Sequence, residues 1–107
     1  MRIPPNVSPP YYAVIFSSKK RKNDQEFSLI SDELDELVLG QDGYLGHETV
    51  GDDPSITISY WRDLESIKKW REVPRHAEAM RKGKENWFAN YHTQVALVEK
   101  SYYWEDK

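Results

Sequence analysis

Tyr11-Tyr12-Ala13-Val14-Ile15-Phe16-Ser17 is apolar at both parities of a two-residue repeat: Tyr12, Val14 and Phe16 share one side, Ala13 and Ile15 the other. A strand apolar on both faces is covered on both, so this segment predicts a central strand. Downstream, Ile56, Ile58 and Tyr60 alternate with Thr57, Ser59 and Trp61 in a second strand. Tyr44–Val50 precedes it, set between the turn residues Gln41-Asp42-Gly43 and Gly51-Asp52-Asp53-Pro54, so the two form a hairpin. Phe27, Ile30, Leu34, Leu37 and Val38 recur at helical spacing, with Gly40 as the stop. Asp63 is placed to cap a helix carrying Leu64, Ile67 and Trp70, which Pro74 ends at Val73. Arg75–Asn86 reads as a second helical piece and Tyr91–Tyr103 as a long last strand.

The order βαββαβ predicts an α+β, ferredoxin-like domain: four antiparallel strands with helices on one face. Residues 1–10, with Pro4, Pro5, Pro9 and Pro10, read as an extended arm, and residues 11–107 as a single domain. Helices on one side leave the other apolar sheet face bare. A second copy of the chain would cover it, giving a homodimer with the last strand near the interface, where Leu97 or Val98 faces the partner.

Composition narrows the class. The chain of 107 residues lacks cysteine, which excludes disulfides, thiolate nucleophiles and cysteine-held zinc or iron–sulfur centres. Apolar runs such as Ala13–Phe16 fall far short of a membrane span, and Met1–Pro10 holds no apolar signal core. Fourteen aromatic residues argue against a disordered chain. The expectation is a cytoplasmic protein with no membrane partner. His47, His76 and His92 fall on separate elements without zinc spacing, so no metal site is expected. Thr57-Ile58-Ser59-Tyr60-Trp61 lacks the aromatic signature of an RNA-recognition strand, and the chain carries a net charge of -3, so no nucleic acid is expected.

That net charge conceals a division. Ten acids and no Lys or Arg lie between Asn23 and Asp53, whereas Lys68–Lys84 holds seven bases and two acids. The two blocks read as oppositely charged solvated faces, or the basic one as an attractor for an anionic ligand. Lys19–Lys22 reads as part of a loop.

One helix face stands out. His76, Met80, Gly83 and Trp87 fall in a narrow stripe, Trp70 lies just before the Pro74 break, and Tyr91 follows one turn after Trp87. Such a stripe packs as core, or it forms the wall of a pocket completed by the first and third strands. In a pocket, His76 is the candidate base, accessible from the cavity, while His47 and His92 are not. Glu48 beside His47 reads as a strand pair and not a catalytic dyad, since adjacent strand residues face opposite ways.

Several segments together resemble the antibiotic biosynthesis monooxygenase family: Tyr12-Ala13-Val14-Ile15-Phe16, Gly43-Tyr44-Leu45-Gly46-His47-Glu48, Ile58-Ser59-Tyr60-Trp61 leading to Trp70, Pro74-Arg75-His76, and Gly83 through Trp87 and Tyr91. The similarity runs from Tyr11 to Tyr102 and is greatest to a small bacterial branch of uncharacterised members. It implies a dimeric α/β barrel and a reaction, without metal or flavin, in which a deprotonated phenolic or quinone-like substrate meets dioxygen directly. On this pattern His76 is the base, Trp70, Met80, Trp87, Tyr60 and Tyr91 bind the ring, and Lys69, Arg71 or Arg75 stabilises the anion. The alternative is a non-catalytic dimeric barrel that binds a small hydrophobic ligand. Heme degradation is a weaker third option. Those relatives use a strand-one Asn, a Trp matching Trp70 and an iron-ligating His, where this chain has Met80 and no Asn in Tyr11–Ser18. With Met80 one turn from His76, heme binding stays open.

Overall fold

A computed structural model describes residues 7–21 and 25–106. The elements run β1 (Tyr11–Lys20), α1 (Gln25–Val38), β2 (Tyr44–Val50), β3 (Ser55–Trp61), α2 (Leu64–Glu72), α3 (Pro74–Lys82), a π-helical turn (Gly83–Trp87) and β4 (Phe88–Val98). The sheet is antiparallel in the order β2-β3-β1-β4, the ferredoxin-like arrangement, and the doubly apolar segment is indeed an interior strand. Of the arm expected over residues 1–10, positions 1–6 lie outside the described residues, as do Lys22–Asp24 of the expected loop.

Register assigns each side chain to a face. Val14 pairs with Ser59 on β3 and Val95 on β4, and these face the helices. Ala13 pairs with Tyr60 and Ala96, and these face away. On the helix side, Trp61 (1% exposed), Val38 and Ile67 form one buried cluster with Tyr12, Val14, Tyr44 and Trp70 against it. Ile30, Ala79 and Trp87 form a second cluster, packed by Phe27, Leu34 and Phe88. On the other face Tyr11, Ala13 and Tyr60 gather Leu45, Ile58 and Val98. Both faces of the sheet are therefore apolar, as the sequence pattern requires.

Three boundaries differ from the sequence reading. β1 extends through Lys19 and Lys20, so those two bases are strand residues; Lys20 lies over the Phe27 ring at 5.3 Å and pairs with Asp52 at 2.8 Å. β4 begins at Phe88 and ends at Val98, so Glu99–Tyr103 is not strand. A bulge between Lys19 and Lys20 brings Phe88 opposite Lys20 and starts the ladder early. The second helical piece is α-helical only to Lys82 and then widens into the π turn, where the Phe88 N–H donates to the Gly83 carbonyl. Gly83 is needed there: a Cβ would meet the Phe88 ring at 2.8 Å.

The divided charge has a structural outlet. Arg75 pairs with Glu33 at 2.8 Å and with Glu78 at 2.9 Å, and Lys82 pairs with Glu26 at 2.9 Å. Acidic α1 and basic α3 thus lie side by side and neutralise one another. Exposed pairs add little stability each, but they fix which helix lies beside which.

Candidate functional site

The strand residues that face the helices are small toward the centre of the sheet. Ser18 on β1 and Ser55, Thr57 and Ser59 on β3 present hydroxyls where a bulkier residue would fill the gap beneath α1 and α3. A cavity of about 400 Å³ results, lined by β1, β2, β3, α1, α2, α3, the π turn and β4. Trp61, Trp70, Met80 and Trp87 give it an aromatic and thioether wall, and His76 stands among them.

Trp61, Trp70 and His76 form a row. The two indoles stack with centroids 6.4 Å apart, and the imidazole lies 4.8 Å from Trp70. At the other end, Tyr44 meets Trp61 edge-on at 5.5 Å. Pro74 at the start of α3 turns the chain so that His76 returns toward Trp70 of α2.

Polar atoms in this wall are unevenly satisfied. The Trp61 indole N–H donates to Ser59 Oγ at 2.9 Å. Among the described residues, His76 Nδ1 and Trp87 Nε1 are buried without a hydrogen-bond partner. Burial pushes the His76 imidazole below its ordinary value, a hydrogen bond to the Arg71 backbone works against that shift, and the Arg71 charge reinforces it. The ring is therefore neutral at pH 7. The wall thus offers an unpartnered imidazole nitrogen at His76 and an unpartnered indole N–H donor at Trp87.

The residues expected at a site divide. His76, Trp70, Met80 and Trp87 line the cavity together with the first and third strands. Tyr60 does not. Strand alternation puts it on the opposite face, beside Tyr11 at 5.9 Å, with its hydroxyl donating to Glu48 Oε1 at 2.7 Å. Tyr91 does not line the cavity either, but backs it by packing on Phe16 at 5.3 Å and Phe88 at 5.9 Å. Of the three expected cations only Arg71 reaches the lining; Arg75 is held by Glu33 and Glu78.

His47, expected away from the cavity, lines it. In an unbroken strand Tyr44 and His47, three apart, would face opposite ways. The β2–β3 register slips between Tyr44 and Gly46: Tyr44 pairs with Trp61, and Gly46 with Tyr60. That inserted residue turns His47 onto the same side as Tyr44, and Gly46, at φ +137°, takes a conformation open to glycine. The Tyr44 hydroxyl and His47 Nδ1 are hydrogen-bonded, and His47 Nε2 lies 3.5 Å from Asp35 Oδ1 on α1. An isolated glycine within a strand pattern is the sequence signal for such a bulge.

A ferredoxin-like sheet with an aromatic cavity beneath its helices defines the chain as a ferredoxin-like α+β domain. The model of the antibiotic biosynthesis monooxygenase family matches residues 10–82, and the chain belongs to that family. It is 40% identical over 94 residues to the uncharacterised protein YqjZ of Bacillus subtilis, covering 86% of this chain and 82% of that one. A shorter match, 35% over 46 residues, is to a jasmonate monooxygenase of Pyricularia oryzae, covering 43% of this chain and 21% of that protein. Among solved structures, SnoaB from Streptomyces nogalater, a cofactor-independent oxygenase, superposes with a TM-score of 0.72 at 9% identity, covering 85% of this chain and 95% of that one. A dabb family protein with a ferredoxin-like fold from Mesorhizobium loti gives 0.65 at 8% identity, over 86% of this chain and all of that one. At such identities the structures attest to the fold.

Proposed function

We propose that the protein is a monooxygenase acting on a small phenolic or quinone-like aromatic molecule bound between the helices and the sheet. The observation that carries this reading is the pair of unsatisfied buried atoms, His76 Nδ1 and Trp87 Nε1, in an otherwise aromatic wall. Leaving a buried polar atom unpaired costs ~1–3 kcal/mol, and a phenolic hydroxyl, which donates as well as accepts, can answer His76 Nδ1. The aromatic wall with Trp70 provides a surface for its ring.

In this reading His76 Nδ1 accepts the phenolic proton and Arg71 stabilises the anion. The electron-rich ring carbon then bonds to dioxygen, and the resulting hydroperoxide loses water. For a dihydroxyarene the balance is one arene plus one dioxygen giving one hydroxyquinone plus one water. One oxygen atom enters the product, and the four electrons come from the ring. In this reading the reaction draws on no resident cofactor, as in SnoaB, a cofactor-independent oxygenase of the same fold. Labelled dioxygen tests it: one labelled atom per product supports the monooxygenase, whereas ligand binding without oxygen transfer supports the alternative, a non-catalytic binding barrel.

The proposal includes a homodimer formed through the sheet face that carries no helix. There Tyr11, Tyr60, Ile58 and Val98 form a continuous apolar surface, and Ile56 and Val50 are exposed beside it. Val98 pairs with Tyr11 on that face, while Leu97 pairs with Tyr12 on the helix side, so Val98 is the residue that meets the partner.

A further inference from the structure

Two imidazoles face this cavity, in different surroundings. His76 is a good acceptor but a poor store, because burial and the Arg71 charge both oppose the imidazolium. His47 has a carboxylate behind it: Asp35 Oδ1 stands 3.5 Å from Nε2, on the side away from Tyr44. Carboxylate, imidazole and phenol thus stand in sequence from the surface of α1 into the cavity, and all three line it.

We infer that Tyr44, His47 and Asp35 form a second acid–base station of the cavity, one that exchanges a proton with an aromatic hydroxyl of the bound ligand. Asp35 orients the imidazole with its proton on Nε2, which leaves Nδ1 to accept the Tyr44 hydroxyl. The lone pairs of the Tyr44 oxygen are then available to the ligand. As the ligand O–H breaks, its proton passes to the Tyr44 oxygen and the proton of Tyr44 passes to His47 Nδ1. The products are a ligand phenolate, a neutral Tyr44 and an imidazolium opposite Asp35. Run in reverse, the station returns the proton to a developing oxyanion. Burial, with the Asp35 charge adding to it, holds the Tyr44 phenol above its ordinary value, so Tyr44 passes protons on and does not itself become an anion at neutral pH. The other charged or titratable groups lining the cavity are Arg71 and His76 on the helical side and the ion pair between Lys20 on β1 and Asp52 in the β2–β3 turn.

This inference rests on the phenol-binding reading of the cavity, and one experiment separates the two. 4-Nitrophenol is titrated into the wild-type protein, and its phenolate absorbance is followed against pH in the bound state. The bound probe should ionise at a pH about one unit lower in the wild type than in His47→Gln or Tyr44→Phe, a tenfold change in the ionisation ratio. Asp35→Asn, at an exposed helix position that does not endanger folding, should move it in the same direction by less. His92→Gln, on the opposite sheet face, should leave it unmoved. Binding with equal ionisation in the wild type, Tyr44→Phe, His47→Gln and Asp35→Asn overturns the station and leaves the cavity reading intact. Absence of probe binding by the wild-type protein overturns both.

Discussion

Replacing His76 with phenylalanine should separate stability from function. The substitution keeps a ring against Trp70, now 4.8 Å away, and removes an imidazole whose Nδ1 has no partner in the wall. Removing the unpaired atom recovers ~1–3 kcal/mol, and losing the hydrogen bond to the Arg71 backbone costs ~0.5–1.5 kcal/mol. Arg71 is exposed, so water replaces that bond at its carbonyl. The net expectation at pH 7.5 is a protein about 1 kcal/mol more stable than wild type by urea denaturation. The pH dependence adds an independent sign. Because the folded imidazole titrates below its ordinary value, the unfolded chain takes up a proton first as pH falls. The contribution of His76 is therefore complete above about pH 6.5 and is lost as pH falls below it. That loss should be absent in His76→Phe. Turnover should meanwhile drop by ~10²–10⁴ if the imidazole is the base. A variant less stable by more than about 1 kcal/mol would show His76 to be a satisfied structural histidine, and the reasoning would be wrong.

Gly43→Ala should destabilise the fold by ~1–3 kcal/mol in denaturant titration, because Gly43 sits at φ +84° and its Cβ would come within 2.0 Å of Ser66 Oγ. Hydrogen bonds from the Ser66 hydroxyl, the Ser66 backbone and Arg62 hold Asp63 down to about 2. Its contribution to stability is thus present above about pH 4 and lost as pH falls toward 2, and thermal scans across that window should show a smaller loss in Asp63→Asn, which keeps a cap without the charge. Val98→Asp should give a monomer by sedimentation at micromolar concentration, whereas Leu97→Asp should remain dimeric; a dimeric Val98→Asp protein would place the interface elsewhere.

Most of the fold was legible in the sequence because its signals are local or periodic. The alternation of Tyr11–Ser17 marked the interior strand, Asp63 the helix cap and Pro74 the break. What escaped depended on small register slips. The bulge at Lys19/Lys20 moved the start of β4 to Phe88, and the bulge before Gly46 carried His47 into the cavity. Asp35 could not be joined to His47 from spacing, since the two meet only when α1 packs over β2. Tyr60 lies off the cavity wall for a simpler reason. Trp61 and Tyr60 are adjacent on one strand, and only one of them can face the cavity. The charge blocks were visible as blocks, but their pairing across α1 and α3 was not, because that needs the packing of two helices far apart in the chain.

Oxygen consumption tests the central claim most directly. The purified protein is placed in an oxygen electrode with a panel of hydroquinones, and uptake is compared with that of each compound alone and with the His76→Phe variant. The account predicts that at least one hydroquinone is consumed with dioxygen in a one-to-one ratio by the wild-type protein, and that the variant loses ~10²–10⁴ of that rate. Uptake no faster than the uncatalysed background across the panel, from a protein that binds the same compounds, would contradict it and leave a binding barrel in its place.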